Sequence, residues 1–241
     1  MLIMGYFARI ALLPAGSYEY HGTELPPDTD TIIASRVANS LVESLSQGFD
    51  GVVEVLPSLT YGLSAEHEGL PTTGYVRHAA YYEFVLQLVS SLTRSRDLLI
   101  IVNGHGGNTH ALGAIEADFN YAYPDRKLFI PHLYPNAVKD LSTQLVGEFD
   151  AHAGSVEASL IAHYLERPSR SYMVALPKRV RGALRFFRTA EITPHGVIKQ
   201  RPEVIASPEH GRTLHDAIVH EMTEAILRLA EELADVLGKG E

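Results

Sequence analysis

The stretch Arg96-Asp97-Leu98-Leu99-Ile100-Ile101-Val102-Asn103-Gly104-His105-Gly106-Gly107-Asn108 decides the fold of this chain. Its apolar run, residues 98–102, follows two charged residues, which is typical of a parallel strand buried on both faces. The run stops at a glycine-rich turn, and the pattern of residues 109–121 favours a helix. In open α/β sheets, ligands bind beyond the carboxyl ends of the strands. His105 lies at such an end, between glycines that leave room for a cation or a substrate.

The rest of the chain continues this alternation of strands and helices. The apolar patterns predict further strands at 10–14, 52–56 and 127–130, and helices at 31–45, 77–93 and 211–237. The apolar stripe of the last helix is most simply core, with an oligomer interface as the alternative. We therefore predict one α/β domain over residues 1–241, a three-layer αβα sandwich whose mainly parallel sheet carries helices on both faces.

Possible metal ligands follow the first predicted strand. If residues 17–21 are extended, Glu19 and His21 point to the same face. Gly22 and the proline pair at 26–27 then turn the chain and let Asp30 come back toward them. A carboxylate has two oxygens with which to bridge two cations. The ordinary alternative is a strand edge with an aspartate capping the next helix, and this segment alone favours neither.

A third group of such residues precedes the predicted helix 158–166. Glu157 lies in the first turn, where the helix dipole keeps a carboxylate ionised and able to bind metal, although helix capping explains it nearly as well. His152 lies on the preceding loop. Because an unperturbed imidazole titrates near neutrality, a loop histidine of this kind suits a proton donor or an oxyanion stabiliser.

Composition excludes several classes of function. The formal net charge of −9 argues against non-specific nucleic-acid binding, which needs clustered positive charge. The absence of cysteine rules out disulfides, thiolate metal sites and a cysteine nucleophile. Neither Ser17 nor Ser155 lies in a G-x-S-x-G turn, and His105 lies in no phosphate-binding loop. No apolar run is long enough to span a bilayer, so we expect a cytoplasmic protein.

Four motifs in register resemble the creatininase superfamily. Their order and spacing match from about residue 12 to about residue 166. The motifs are Leu13-Pro14-Ala15-Gly16-Ser17-Tyr18-Glu19-Tyr20-His21-Gly22, Leu25-Pro26-Pro27-Asp28-Thr29-Asp30-Thr31, Asn103-Gly104-His105-Gly106-Gly107-Asn108 and His152-Ala153-Gly154-Ser155-Val156-Glu157.

The resemblance implies a binuclear metal-dependent amidohydrolase. By analogy with the family, Glu19 and His105 bind one metal, His21 binds the other, and Asp30 bridges them. Creatininase takes a further ligand from a glutamate at the position of Gly107, and we expect Glu157 to replace it here. Carboxylate and imidazole ligands suit ferrous iron, zinc or manganese. His152 would protonate the leaving nitrogen or stabilise the tetrahedral oxyanion.

The substrate predicted from the resemblance is a small-molecule amide. Creatininase places a tryptophan just before its loop histidine, whereas this chain has no tryptophan, which argues against creatinine. The sequence around Glu19 is similar to the corresponding sequence of archaeal deformylases of flavin and deazaflavin biosynthesis. These enzymes release formate from 2-amino-5-formylamino-6-ribosylaminopyrimidin-4(3H)-one 5'-monophosphate. We therefore predict deformylation. The alternatives are a creatininase-like cyclic amide hydrolase, a mycofactocin-type precursor peptidase, and a catalytically inactive binding protein.

Two further segments bear on the substrate. A loop at 61–73 resembles a superfamily loop, and its Ser64 and His67 are predicted to line the substrate pocket. A dense basic stretch at 178–188 is either a phosphate-binding element or a charged surface segment. The resemblance also implies a homo-oligomer, either a dimer or a hexamer.

Overall fold

A four-stranded parallel sheet organises the protein. The computed structural model describes residues 6–150, 152–178 and 187–238. The order along the sheet is β2-β1-β3-β4, and its strands are β1 Arg9–Ala15, β2 Val52–Val55, β3 Asp97–Asn103 and β4 Lys127–Phe129. A separate antiparallel pair consists of β5 Arg170–Met173 and β6 Glu203–Ala206. The helices are α1 Thr29–Ser46, α2 His78–Leu92, α3 Thr109–Ala122, α4 Asn136–Val146, α5 Ser155–Tyr164, α6 Thr189–Ile192 and α7 Pro208–Leu237.

The central strands β1 and β3 run side by side over their whole length. Their register pairs Arg9 with Asp97 at one end and Ala15 with Asn103 at the other. Their carboxyl ends are therefore level, and the loops that leave them start at the same edge of the sheet. The predicted ligands follow these two strands, so the sheet register itself brings them together.

Side chains of the central strands alternate between two cores. Ile10 and Leu12 of β1, with Ile100 of β3, pack in the core shared with α1, α5 and α7. Leu13 and Ile101 point the other way, into the core shared with α2 and α3. This alternation explains why the run 98–102 is apolar throughout, since both faces of β3 are covered. The three-layer α/β prediction is confirmed.

The predicted elements agree with the observed ones to within a few residues, with three omissions. The sequence pattern did not predict α4, α6 or the β5–β6 pair, all of which lie outside the central sheet. α7 begins at Pro208 rather than at 211, because Ser207 accepts a hydrogen bond from the His210 N–H and Pro208 occupies the first turn. Its stripe is core, with Leu214, Ile218 and Met222 buried. Among the described residues, no helix has both the length and the apolarity needed to cross a membrane.

Helix α7 approaches α5 closely at Gly211, so a side chain at this position should destabilise the protein. A Cβ there would overlap the Ser159 carbonyl group and lie 2.9 Å from His163 Cβ. We expect Gly211→Ala to lower the free energy of unfolding by roughly 1–3 kcal/mol through overpacking, although alanine favours helices. Gly113→Ala in α3 is the control, because its Cβ would meet no atom within 4 Å and should add about 0.5–1 kcal/mol. Urea unfolding measures both, and equal effects would contradict the close approach.

Candidate metal centre

The candidate site lies just beyond the carboxyl ends of β1 and β3. The Gly104 N–H donates to the Ala15 carbonyl at 2.8 Å, which ties the two strand exits together. A Cβ at Gly104 would overlap the Asp30 carbonyl oxygen and lie 3.2 Å from Ala34 Cβ. A glycine at this position therefore lets the start of α1 pack directly against the end of β3. This close approach brings Asp30 to the other predicted ligands.

Glu19 lies at the middle of the site, with a fully buried side chain. Its Oε1 is 3.3 Å from His67 Nε2 and 3.5 Å from His152 Nδ1, and its Oε2 is 3.3 Å from His105 Nδ1. Among the described residues neither oxygen has a hydrogen-bond partner. Buried carboxylate oxygens almost always have a hydrogen-bond partner. Here the histidine nitrogens and the Glu19 oxygens converge without forming hydrogen bonds, which indicates a point where a cation would sit.

Asp30 lies between the two predicted halves of the site. Its Oδ1 is 3.2 Å from His21 Nε2, and its Oδ2 is 3.1 Å from His105 Nδ1. The two oxygens thus face different imidazoles, which is the arrangement that a bridging carboxylate requires. Glu157 Oε2 lies 3.8 Å from His21 Nε2.

Each of these two imidazoles turns its other nitrogen toward a backbone carbonyl. His21 Nδ1 is 3.0 Å from the Glu19 carbonyl, and His105 Nε2 is 3.0 Å from the Leu63 carbonyl. A carbonyl only accepts, so these nitrogens carry the protons. Nε2 of His21 and Nδ1 of His105 therefore present the nitrogens that can bind metal, as in other sites where an outer hydrogen bond fixes the ring.

The structure brings all five sequence-predicted ligands together, and adds two histidines. Three overlapping groups of ligand atoms lie within 4.8 Å of one another: Glu19, His21 and Asp30; His21, His152 and Glu157; and Glu19, His67 and His152. His67, expected on the pocket wall, also reaches Glu19. Ser64 is fully buried and its hydroxyl bonds to that of Ser17. These oxygen and nitrogen donors, with unpaired carboxylate oxygens at their centre, fit divalent metal ions.

The carboxylates and imidazoles strongly shift one another's pKa values in the free protein. Burial opposes protonation of His21, but Asp30, Glu157 and Glu19 outweigh it and raise the pKa of His21 to about 10. Burial likewise opposes protonation of His105, yet Glu19 and Asp30 raise its pKa to about 10. Burial raises the pKa of Glu157 to about 8 despite the nearby His21. Two cationic imidazoles therefore stabilise the acidic cluster when no metal ion does.

His67 and His152 behave in the opposite way. Burial, followed by repulsion from His105 and His21, lowers the pKa of His67 to about 3. Burial and the charges of His21 and His67 also lower the pKa of His152. Both imidazoles are therefore neutral and keep a lone pair. His152 Nε2 lies 3.0 Å from the Tyr20 carbonyl, so its Nδ1 is the unprotonated nitrogen beside Glu19.

The loop that carries His152 is held by three sets of interactions. His152 and Ile198 exchange backbone hydrogen bonds, at 3.2 and 2.9 Å. Next to this bridge, Lys199 Nζ forms a buried ion pair with Glu148 Oε1 at 3.0 Å. Asp150 accepts from the Ser155 and Val156 N–H groups at the start of α5. These contacts fix the loop and the first turn that presents Glu157, so the distance between His152 and Glu157 is set by packing.

Gly107, at the position of the creatininase glutamate, has no space for a side chain. A Cβ there would overlap the Leu63 carbonyl oxygen and His105 Nε2, and would lie 2.8 Å from Glu66 Oε1. The Glu66 carboxylate and the Leu63 carbonyl occupy the space behind the His105 ring. A ligand at position 107 is therefore excluded by the local packing, while Glu157 lies 3.8 Å from His21.

Two cavities adjoin the turn that carries His105, and a third, of about 310 Å³, includes His21 in its lining. One of about 520 Å³ is lined by Asp30, His67, His105, His152 and Glu157, and its outer wall consists of Phe187, Thr189, Ile192 and Ile198. The other, of about 380 Å³, lies across the turn at Gly104–Gly106 and includes Tyr134, Lys139 and Phe149. Sequence patterns did not predict these wall residues, because they come from loops and short elements far apart in the chain.

A family model described as creatinine amidohydrolase, named creatininase, matches residues 7–226. The chain belongs to the creatininase family. The resemblance noted in the sequence motifs is thereby confirmed, and family membership supports hydrolysis of an amide C–N bond.

Proteins with two different named activities, a peptidase and a deformylase, are similar in sequence to this creatininase-family chain. The mycofactocin precursor peptide peptidase of Mycolicibacterium smegmatis is 38% identical over 154 residues, 64% of this chain and 57% of that protein. The peptidase of the same name from Mycobacterium ulcerans is 30% identical over 230 residues, 90% of this chain and 84% of that protein. The deformylase of Methanothermobacter marburgensis, named for the substrate predicted above, is 38% identical over 116 residues, 44% of this chain and 45% of that protein.

Solved structures of the family share the fold. A putative creatinine amidohydrolase from Bacteroides fragilis has a TM-score of 0.69 at 23% identity, covering 94% of this chain and 90% of that one. A structure described as "Creatininase Mn" has a TM-score of 0.69 at 21% identity, covering 90% of this chain and 89% of that one.

Metal binding to the free protein is expected to release protons. With pKa values of about 10, His21 and His105 are protonated at neutral pH and must each lose a proton to bind a cation. The apparent metal affinity should therefore rise as the pH rises toward 10. Calorimetry in two buffers of different ionisation enthalpy measures the protons released. A binding heat independent of the buffer would contradict these shifts.

Gly107→Ala is expected to weaken metal binding by about 10–100-fold, because the added methyl displaces the Leu63 carbonyl that orients His105. Gly106→Ala is the matched control, since a Cβ there meets no atom within 4 Å. Competition titration with a chelating dye compares the two variants with the unmodified protein. Equal affinities in all three would show that the His105 ring does not depend on this packing.

Proposed function

We propose that this chain is a metal-dependent amidohydrolase that cleaves an amide bond in a peptide substrate. The buried Glu19 carboxylate carries the metal-dependent part of this proposal, because histidine nitrogens surround it without forming hydrogen bonds. Similarity to a mycofactocin precursor peptide peptidase over 90% of the chain supports a peptide as the substrate. The deformylase similarity covers 44% of the chain.

We assign the ligands to two ions. Glu19 and His105 would hold the first, His21 and Glu157 would hold the second, and Asp30, whose two oxygens face different imidazoles, would be shared between them. Divalent ions held by these residues would supply Lewis-acid chemistry, lowering the pKa of a water and polarising a carbonyl. Zinc, manganese and ferrous iron all suit this donor set.

The proton transfers fall to His152. Its Nε2–H is held by the Tyr20 carbonyl, so the lone pair on Nδ1 points into the centre beside Glu19. A neutral imidazole in this orientation can accept a proton from the attacking water at Nδ1 and pass it to the leaving amine. The Ile198 bridge and the packing of the loop hold Nδ1 in place. Glu19 stabilises the transient imidazolium, because its Oε1 lies 3.5 Å from that nitrogen.

Burial of Glu148 argues against creatinine. In this stretch creatininase has a substrate-contacting tryptophan, but here Glu148 is buried and paired with Lys199. Its carboxylate accepts from the Gln200 N–H at 2.8 Å, so it secures the loop instead of facing a substrate. The aromatic residue of this stretch is Phe149, which lines the cavity of about 380 Å³, and the creatininase tryptophan has no counterpart in the sequence.

A second candidate is deformylation of the ribosylaminopyrimidine monophosphate, which the similarity to the M. marburgensis deformylase supports. That substrate carries a phosphate and needs a cation near the centre. No lysine or arginine is among the described residues that line the 520 Å³ cavity, whereas Lys139 lines the adjoining cavity of about 380 Å³. Arg188 pairs with Glu68 at 3.2 Å, and Arg179, Arg181 and Arg185 lie outside the described residues. Lys178 also belongs to this basic stretch, and its backbone N–H donates to the Ile192 carbonyl.

Parallel assays of a synthetic precursor-type peptide, the formylaminopyrimidine nucleotide and creatinine, read by mass spectrometry, separate these functions. We expect the metal-loaded protein to cleave the peptide. Formate release from the nucleotide alone would favour the deformylase. A protein that binds metal and cleaves none of the three would be a binding protein of this fold.

The bridging role of Asp30 is tested by Asp30→Asn. We expect the substitution to lower kcat by at least about 100-fold, since an amide cannot bridge two cations with two anionic oxygens. Asp28→Asn is the matched control: it makes the same change two residues away, where Asp28 precedes α1 and its side chain makes no capping bond. A loss of only a few-fold in Asp30→Asn would show that the bridging ligand is misplaced.

A further inference from the structure

Asn108, the residue just before α3, has a fully buried side chain that bonds to three separate segments of the chain. Its Oδ1 accepts from the Leu63 N–H at 2.9 Å. Its Nδ2 donates to the Gly16 carbonyl at 3.1 Å and to Asn103 Oδ1 at 3.2 Å. Both donors and the acceptor of one side-chain amide are thus used inside the protein.

The three segments that Asn108 joins are those that lead into the candidate site. Within four residues, they reach three of its side chains: Glu19, His67 and His105. The approach is close, because a Cβ at Gly62 would lie 2.7 Å from both Asn108 Oδ1 and the Gly16 carbonyl oxygen. Glycine at position 62 therefore lets the loop rest directly on the amide.

Asn108 is connected to the His105 ring through Leu63. The Leu63 N–H is held by Asn108, and the Leu63 carbonyl accepts from His105 Nε2 at 3.0 Å. On the other side of this ring, Nδ1 lies 3.1 Å from Asp30 Oδ2. A second connection reaches the backbone, since Asn103 Nδ2 donates to the His105 carbonyl at 2.8 Å. One buried amide therefore fixes the partners of both the ring and the backbone of His105.

We propose that Asn108 is a positioning residue, which orients the His105 ring through the Leu63 carbonyl and so sets the affinity for the first metal ion. The inference rests on the proposed function, because it takes His105 to be a ligand. Groups that orient a metal-binding imidazole change metal affinity about 10–100-fold when they are removed. Asn108 acts one bond further out, on the carbonyl that does the orienting.

The test is Asn108→Ala, with Asn120→Ala as the matched control. Asn120 of α3 makes the same kind of bonds, accepting from the Leu128 N–H at 2.9 Å and donating to the Leu128 carbonyl at 2.8 Å. Those bonds hold β4, which carries no proposed ligand. Both variants should lower the melting temperature of the metal-free protein, because each leaves backbone groups without a partner.

Manganese affinity separates the two variants. Competition titration with a chelating dye should show a loss of about 10–100-fold in Asn108→Ala, and of less than about two-fold in Asn120→Ala. Asn108→Asp is the conservative rescue. A carboxyl group in either protonation state offers an oxygen to the Leu63 N–H, so this variant should stay within about three-fold of the original affinity.

Proton exchange in the metal-free protein gives a readout without metal. In protein labelled with ¹⁵N in its histidines, the His105 Nε2 proton, held by the Leu63 carbonyl, is identified by its loss in His105→Gln. We expect this proton to exchange with water at least about 10-fold faster in Asn108→Ala and at the original rate in Asn120→Ala, because only the first variant frees the Leu63 segment.

The outcomes separate this inference from the proposed function. If the unmodified protein binds no manganese, the proposed function fails, while the exchange rates still decide the role of Asn108. Unchanged exchange in Asn108→Ala would overturn the inference, as would an unchanged manganese affinity in a protein that binds the ion. Equal losses in the two alanine variants, or a metal-free Asn108→Ala that does not fold, would make Asn108 a purely structural residue. A loss in Asn108→Asp as large as in Asn108→Ala would also contradict the route through Leu63.

Discussion

The buried carboxylate of Glu19 is the constraint on which the rest of the site depends. A carboxylate that is removed from water must be compensated, because an uncompensated buried charge costs several kcal/mol or more. Here imidazole nitrogens approach both oxygens, but none forms a hydrogen bond with them. The free protein stabilises the acidic cluster by protonating His21 and His105. A divalent cation would compensate the carboxylates in place of the two imidazole protons, which would be released. Metal binding is therefore coupled to the protonation of His21 and His105.

The parallel sheet places this carboxylate where compensation can reach it. β1 and β3 end level with each other, and the chain leaves them on either side of the same edge. Gly104 removes the side chain that would separate β3 from the start of α1, and Asp30 enters through that gap. The loop after α4 contributes His152, whose position depends on its backbone bridge to Ile198. The segments that leave the ends of β1 and β3 carry Glu19, His21 and His105, and the loop before α5 carries the proposed proton-transferring residue His152.

The chain departs from creatininase at two places that the structure connects. Gly107 is surrounded by the Leu63 carbonyl, His105 and Glu66, so a ligand cannot come from that position, whereas the Glu157 carboxylate lies 3.8 Å from His21. The stretch that contains a tryptophan in creatininase contains Glu148 here, and Glu148 forms an ion pair with Lys199. The space beside the centre is left to Tyr134 and Phe149. The metal ligand and the aromatic substrate contact that creatininase takes from these two positions are thus not available from the same positions in this chain.

The sequence by itself determined the alternation of strands and helices, because burial on both faces leaves a continuous apolar run in β3 and a stripe in α7. It also placed Glu19, His21, Asp30, His105 and Glu157 as candidate ligands, since residue types at strand ends and helix starts are local features. Only the tertiary structure decided that His67 reaches Glu19, that the Ser64 hydroxyl bonds to that of Ser17, and that the Tyr134 hydroxyl has no hydrogen-bond partner among the described residues. These facts depend on contacts between segments far apart in the chain, which no local pattern records.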